Sequence, residues 1–401
     1  MVTRHNKNIL LFLYEISYVL IFYKTLWFFY FWNIHVLLFY LLNLSLAFIL
    51  FIYNKKLIYN TDNFLLITFL GCIYVSAMVA SRSISPSQIC AFLCFSTLIM
   101  LPYEYKLEIV KLITKSIVPI LLISFFGWFL VVIIRVHLPY TEVSFADQYY
   151  FRNYHIFLLR HGKVENVLDF VRYCSLFIEP GYIGVACVLL LHVNDFNFKD
   201  KNNIIILFIS LVTLSLATYL LLFLTYLFRH LNRKGIKYLI LFSLIMIILF
   251  IIFLNKEDSI IYQKIISRLL PDNKGRISGN NRFTPKLDKF YEQFKSSNSL
   301  FWGIGSEEFK AKDFGSNAGY KVYIITYGLV GVFIALFYYF MTALRSFSKK
   351  SITFFIIWFL AFLQASYPLN GYQLILFIIG CEILSSKERI NELYQKDIKT
   401  I

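Results

Sequence analysis

Long apolar runs separated by short polar gaps follow one another along most of the 401 residues. A helix needs roughly 20 apolar residues to cross the hydrocarbon core of a bilayer. The pattern, which includes an uncharged run at 204–228, predicts an all-α, polytopic helical membrane protein of about 11–12 transmembrane segments. It predicts that residues 1–401 form a single integral membrane domain. The other predicted spans are 9–31, 34–53, 63–80, 84–101, 112–135, 176–193, 236–254, 321–343, 352–368 and 371–384.

Two gaps in this pattern are long enough to be sizeable external loops, at about 137–175 and about 255–320. The larger loop has helix signals of its own, because Thr284 followed by Pro285 is typical of a capped helix start. Behind them an apolar face recurs with helical spacing at Leu287, Phe290, Tyr291 and Phe294. The large loop is therefore expected to contain an amphipathic helix.

The composition agrees with a membrane protein. Hydrophobic residues make up 59% of the chain and charged residues 15%, whereas soluble domains have about 45–50% and about 25%. The six cysteines lie in or beside apolar runs and form no disulfide framework or metal-ligating pair. We expect no metal and no cofactor.

The net charge of +16 follows from basic residues in the gaps between apolar runs, where the positive-inside rule places them. It therefore gives no reason to expect nucleic acid as a partner. With the N-terminus inside, the pairs at Lys55–Lys56, Lys106 with Lys111, and Lys199 with Lys201 also fall inside. The same rule predicts a cytoplasmic C-terminus.

The run at about 204–228 decides whether this orientation holds for the rest of the chain. As a single span it would place Arg229, Arg345 and the basic tail from Lys387 outside. As a broken membrane helix pair that enters and returns, it brings all of them inside, and polar residues from Thr213 to Thr218 are a suitable break. The alternative is a plain single helix with a misplaced boundary elsewhere.

Arginine is enriched on the expected outer side. Its rigid fork of donors matches phosphate better than lysine does, so this side suits a phosphate-bearing ligand. The alternative is that several of these arginines only solvate loops or touch lipid headgroups. The arginines on the expected outer side are Arg82, Arg135, Arg152, Arg160, Arg172, Arg268, Arg276 and Arg282.

A carboxylate stands at the outer end of a predicted span, where Arg172 is followed by Glu179 and Pro180. An ionisable group at such a position is costly and is a functional candidate. The alternative is that Glu179 caps the helix and pairs with Arg172. In the large loop, Arg282 precedes Gly303 and Gly305, whose freedom would let backbone approach a ligand closely.

These features together resemble the bacterial O-antigen polymerase (Wzy) family within the O-antigen polymerase and ligase superfamily, over the whole chain. Arg172 with Glu179-Pro180 matches one signature of that superfamily, and Arg282 with Gly303-Ile304-Gly305 matches another. Arg268 with Gly279 fits a third pattern. Where ligases have His-Asn, this chain has Ser316-Asn317, which favours a polymerase. The Ser215–Thr218 break lacks the arginine that the superfamily often has there.

The resemblance implies a glycosyltransferase C-like bundle that polymerises undecaprenyl-diphosphate-linked oligosaccharide repeat units at the outer face of the bacterial cytoplasmic membrane. It implies Glu179 as base, Arg282 and Arg172 as catalytic arginines, and a chain-length regulator and membrane lipids as partners. Ligase and lipid-linked oligosaccharide flippase are the alternatives, although no internal repeat of the transporter kind is visible. The expected substrate-binding residues are Arg268, Arg276, Gly303, Gly305 and Asn317.

Overall fold

The computed structural model describes residues 9–54, 61–146, 149–161, 171–229, 252, 270, 283–314, 319–345, 348–364 and 369–399. The described residues are mostly helical, at 75%. Three described helices are long and apolar enough to cross a membrane: Thr61–Ser81, Tyr103–Ile133 and Tyr320–Arg345. Several others are apolar but shorter. The fold is thus that expected of a helical membrane protein, and the number of spans stays a prediction.

The described helices follow the predicted runs with shifted ends. The first ends at Thr25 rather than at 31, and the fifth begins at Tyr103 rather than at 112. The run 236–254 lies outside the described residues. The helices are α1 (Ile9–Thr25), α2 (Val36–Asn54), α3 (Thr61–Ser81), α4 (Pro86–Met100), α5 (Tyr103–Trp128, with a π-helical end at Phe129–Ile133), α6 (Pro180–Val193), α7 (Lys201–Val212), α8 (Leu216–Arg229), α9 (Pro285–Phe294), α10 (Ser299–Trp302), α11 (Ser306–Ala311), α12 (Tyr320–Arg345), α13 (Lys349–Gln364) and α14 (Gly371–Lys399).

The helix predicted in the large loop is confirmed as α9. The Thr284 hydroxyl accepts a hydrogen bond from the Leu287 amide, as an N-cap residue does. Leu287 and Phe294 are buried in a small apolar cluster with Phe314 and Ile325. The cluster packs α9 over the start of α12.

The apolar run at 204–228 is interrupted and forms a hairpin of α7 and α8. Its turn is Thr213–Ser215, where Leu214 has a φ of 47°. Helix α8 runs alongside α6 in the same direction, because Gly184 lies against Thr218 and the His192 ring is 2.8 Å from the Thr225 hydroxyl. Helix α7 therefore runs the opposite way, and the chain returns to the end where α7 began. Whether this hairpin lies within the membrane stays a prediction.

An ionic cluster joins the open end of the hairpin to the next helices. Asp195, just after α6, pairs with Arg229 at the end of α8 and with Lys350 at 2.7 Å in the first turn of α13. Nearby, the buried ammonium of Lys106 is 2.6 Å from the Glu382 carboxylate. Three of the basic groups that the charge argument assigns to one side, Lys106, Arg229 and Lys350, thus lie at one end of the bundle, called here the Asp195 end.

Asp195→Asn is expected to destabilise the fold. It removes the negative charge shared by Arg229 and Lys350 and leaves two like charges facing each other. Charged hydrogen bonds of this kind contribute about 1.5–3 kcal/mol each to stability. Because Asp195 is only partly exposed, we expect the free energy of unfolding to fall by about 1–3 kcal/mol. Thermal unfolding in detergent checks this, with the exposed Asp62→Asn as the matched control. Equal stability of the two variants would contradict it.

The all-α prediction needs one correction, because the loop at 137–175 contains a small antiparallel sheet. Its strands are β1 (Thr141–Phe145), β2 (Tyr149–Asn153) and β3 (Leu158–His161), in that order. Apolar side chains alternate along β1 and β2 and, together with Leu158 of β3, form one face that packs on the aromatic α1–α2 connection. A loop of this composition folds as a sheet because alternation buries that face while polar residues stay outside.

Candidate functional site

The segment before Glu179 is held on both sides by backbone hydrogen bonds. On one side the Leu158 amide donates to the Ser175 carbonyl at 2.9 Å, and on the other the Phe29 amide donates to the Leu176 carbonyl at 2.9 Å. Residues 174–178 are all buried. The backbone that carries Glu179 is therefore fixed between the small sheet and the α1–α2 connection.

Glu179 is the residue before the first turn of α6, and its carboxylate makes no hydrogen bond to the helix amides. Instead its Oε1 accepts from Arg160 Nη1 at 2.8 Å. The Arg160 guanidinium also lies over the Tyr149 ring, 4.5 Å from its centroid. Arg160 stands opposite Phe151 in the register, on the apolar face of the sheet. Glu179 is thus an ion-paired carboxylate rather than a helix cap.

The second oxygen of Glu179 is available for a ligand. No residue in the described part of the chain donates a hydrogen bond to Oε2. The side chain is 24% exposed, and that of Arg160 is 37% exposed. A hydroxyl group arriving from solvent or from the membrane surface can therefore bond to this carboxylate while Arg160 holds the other oxygen.

Arg172 joins the same cluster from the hairpin side. Its Nη1 is 3.4 Å from the carbonyl of Leu214, at the tip of the α7–α8 hairpin. The charges of Arg160, Arg172 and Glu179 all act on the Cys174 thiol, although burial dominates and raises its pKa to about 12. The hairpin tip also lies beside the start of α6, since a Cβ on Gly181 would be 3.8 Å from the Ser215 hydroxyl, so Arg172 lies at the same end of α6 as Glu179. Cys174 itself stays protonated at neutral pH and is not a nucleophile, since the thiolate is the reactive form.

This cluster lies at the end of the bundle opposite to Asp195, called here the Glu179 end. Helix α6 separates the two ends, and its 14 residues span about 21 Å. Sequence reasoning found Glu179 and Arg172 but missed Arg160. No local pattern indicates Arg160, because β3 reads Leu-Leu-Arg-His without alternation of polar and apolar residues.

Gly303 and Gly305 serve to pack backbone against backbone. Both have positive φ, 79° and 83°, and a Cβ on Gly303 would lie 2.3 Å from the Thr326 carbonyl oxygen. A Cβ on Gly305 would lie 2.6 Å from the Ala80 carbonyl oxygen at the end of α3. The sequence correctly indicates that glycine is needed here, but the close neighbour is protein.

The amides of this segment are already bonded. Ile304 donates to the Ile325 carbonyl and Gly305 to the Thr326 carbonyl, both at 2.9 Å. Helix α12 is interrupted at Gly328, so these two carbonyls are satisfied from outside the helix. The amides of Ile304 and Gly305 thus stabilise the interruption of α12, and a role of Gly303 and Gly305 in binding a substrate stays a prediction.

The remaining expected site residues, Arg268, Arg276, Arg282 and Asn317, lie outside the described residues, and their roles stay predictions. Within the described ranges no group of three or more His, Cys, Asp or Glu side chains is arranged to hold a metal ion. Metal independence also stays a prediction.

A scan against protein-family models gives no match, and searches of curated proteins and of solved structures give none either. The resemblance to the polymerase and ligase superfamily therefore rests on the residues of the chain itself.

Proposed function

We propose that this protein is a glycosyltransferase that polymerises undecaprenyl-diphosphate-linked oligosaccharide repeat units into O-antigen or a similar surface polysaccharide. The observation that carries the proposal is the cluster at the Glu179 end. The Glu179 carboxylate, whose Oε2 accepts no hydrogen bond from the described residues, is paired with Arg160, and Arg172 lies at the same end of the bundle. Such a cluster combines a base for a hydroxyl with donors for an anionic leaving group, which are the two requirements of this transfer.

The reaction joins two lipid-linked substrates. The acceptor hydroxyl oxygen forms a bond to the anomeric carbon of the growing chain, and its proton passes to Glu179 Oε2. The bond between that carbon and the diphosphate oxygen breaks, and its electron pair leaves with undecaprenyl diphosphate. The product is a chain longer by one repeat unit, and the proton on Glu179 returns to solvent.

Arginines stabilise the charge that develops on the leaving diphosphate, because preorganised donors cost no rearrangement during the reaction. Arg172 is fixed beside the hairpin tip, which supports its assignment. Arg282, with Arg268 and Arg276 in support, is proposed from the resemblance alone. Arg160 is added to this set from its bond to Glu179.

The proposed location is the bacterial cytoplasmic membrane, with the Glu179 end at its outer face and both termini cytoplasmic. The Asp195 end gathers Lys106, Arg229 and Lys350, which suits the cytoplasmic side under the positive-inside rule. A lipid-linked sugar carried on the outer leaflet would then meet Glu179 directly.

Deletion of the gene tests this function against the alternatives. A polymerase deletion is expected to leave single repeat units on the cell surface, because transfer to the final acceptor still occurs. A flippase deletion would instead leave none, and a ligase deletion would leave polymer that is not attached to its lipid anchor. Gel separation of surface polysaccharide distinguishes the three, and either of the last two patterns would contradict the proposal.

A further inference from the structure

Arg160 does more at this site than neutralise a charge. It holds Glu179 through one nitrogen at 2.8 Å while its guanidinium plane rests on the Tyr149 ring. A guanidinium has five N–H donors and fits phosphate oxygens bidentately. The same group is thus suited to both the carboxylate and the diphosphate of the proposed donor.

The ion pair between Arg160 and Glu179 also lies where Arg160 can exchange one anionic partner for another at a small cost in free energy. Both side chains are partly exposed, at 37% and 24%, and exposed ion pairs contribute only about 0–1 kcal/mol. The backbone of β3 is fixed by its register with β2, and Tyr149 holds the guanidinium plane. Arg160 can therefore change partner by a small movement of its side chain, without any change of fold.

We infer that Arg160 is a substrate-operated latch on Glu179. In the free protein Arg160 holds the carboxylate. When the donor binds, its diphosphate takes Arg160 from Oε1, and Glu179 accepts the proton of the acceptor hydroxyl on Oε2 without a cationic partner. The latch would keep the charge of Glu179 neutralised until the donor is present. This inference rests on the proposed function, because it takes the diphosphate from the proposed donor.

Thermodynamic coupling gives the latch a measurable signature. Glu179 and the diphosphate compete for Arg160, so the apparent affinity for diphosphate is reduced by the fraction of protein in which the pair is closed. Removal of the Glu179 charge should free Arg160 and tighten diphosphate binding. For a partly exposed ion pair we expect the Kd for diphosphate to fall about fivefold.

The experiment measures inorganic diphosphate binding by calorimetry to the full-length protein in detergent, for four variants and the wild type. Glu179→Gln is expected to bind about fivefold more tightly than the wild type. Arg160→Gln should bind more weakly, and Arg160→Gln combined with Glu179→Gln should bind no more tightly than Arg160→Gln alone. Glu142→Gln is the matched control, because it removes the same charge from the opposite face of the sheet and should change affinity less than twofold. Size-exclusion profiles establish that each variant is folded.

Several results would overturn the latch. They are unchanged or weaker binding by Glu179→Gln, equal tightening by Glu142→Gln, tightening that persists without Arg160, or no measurable binding by any form. A repeat with polyprenyl diphosphate in nanodiscs distinguishes a lipid headgroup from a free anion, and the latch requires the same rank order there. Failure of the wild type to polymerise lipid-linked units would instead contradict the proposed function, because the binding measurement does not depend on turnover.

Discussion

Glu179→Gln is expected to abolish polysaccharide chain growth while leaving the protein folded in the membrane. Glutamine keeps the shape of the side chain but cannot take a proton from the acceptor hydroxyl. A positioned base contributes typically about 10²–10⁴-fold to such a reaction, so the rate should fall by at least about 100-fold. The measurement is the rate at which purified protein converts lipid-linked repeat units into longer chains.

Two further variants make this result specific to the carboxylate. Glu142→Gln removes an exposed carboxylate from β1, on the face of the sheet opposite to Arg160, and should keep the wild-type rate. Glu179→Asp keeps the base but shortens its reach and should retain part of the rate. A Glu179→Gln protein that keeps more than about a tenth of the wild-type rate would remove Glu179 from the role of base, since even the low end of general-base catalysis exceeds that difference.

The hairpin of α7 and α8 could be predicted because it follows from charge rather than from local propensity. The run 204–228 has no charge and no strong breaker, so its pattern alone suits a single helix. The positive-inside rule, applied to Arg229, Arg345 and the basic tail, favoured a chain that returns. In the structure Arg229 and Lys350 both pair with Asp195, which precedes α7. The positive-inside rule thus indicated the turn between α7 and α8, which helix periodicity alone does not indicate.

The partner of Glu179 could not be predicted in the same way. Arg160 is 19 positions away along the chain, and only the register of β3 against β2 and the neighbouring segment at Ser175 bring it to the carboxylate. Arg172, which is nearer in sequence, was the natural choice from spacing alone. Pairings across a sheet depend on register, and register is set by the buried face, which a sequence read as a polar loop does not reveal.

The two glycines at 303 and 305 show a different limit. Sequence reasoning indicated correctly that backbone comes close to something at these positions. The neighbour of Gly303 is the interrupted part of α12 around Thr326 and Gly328, and that of Gly305 is the end of α3 at Ala80. Both lie more than twenty positions away, and a pattern of single residues does not specify such a partner. Glycine is required both where a ligand approaches the backbone closely and where a second backbone does. The sequence pattern therefore does not distinguish the two.

Gly328→Ala is expected to cause the largest loss of stability. Gly328 has a φ of 72° and a ψ of 176° within α12, a region of backbone conformation that is essentially restricted to glycine. An added Cβ would lie 2.2 Å from the Phe301 carbonyl oxygen and 2.6 Å from the Gly303 amide nitrogen. Backbone strain of about 1–3 kcal/mol and overpacking of about 1–3 kcal/mol together predict a loss of about 2–6 kcal/mol. Thermal unfolding in detergent and the amount of protein in the membrane measure it.

Gly71→Ala is the matched control, because Gly71 lies within the regular helix α3 and its added Cβ would only touch the Phe92 ring at 3.4 Å. Alanine is favoured over glycine in a helix interior by about 1 kcal/mol, so this variant should be as stable as the wild type or slightly more stable. Gly303→Ala should behave like Gly328→Ala, since both methyl groups would enter the same contact between backbones. If Gly328→Ala unfolds within about 1 kcal/mol of Gly71→Ala, a difference below the predicted strain alone, then the segment 303–305 does not pack on the interruption of α12 as described. If the free energy of unfolding falls as much as expected, the glycines are required by the fold. The groups that bind the diphosphate are then expected among the arginines around Glu179 and those of the large loop.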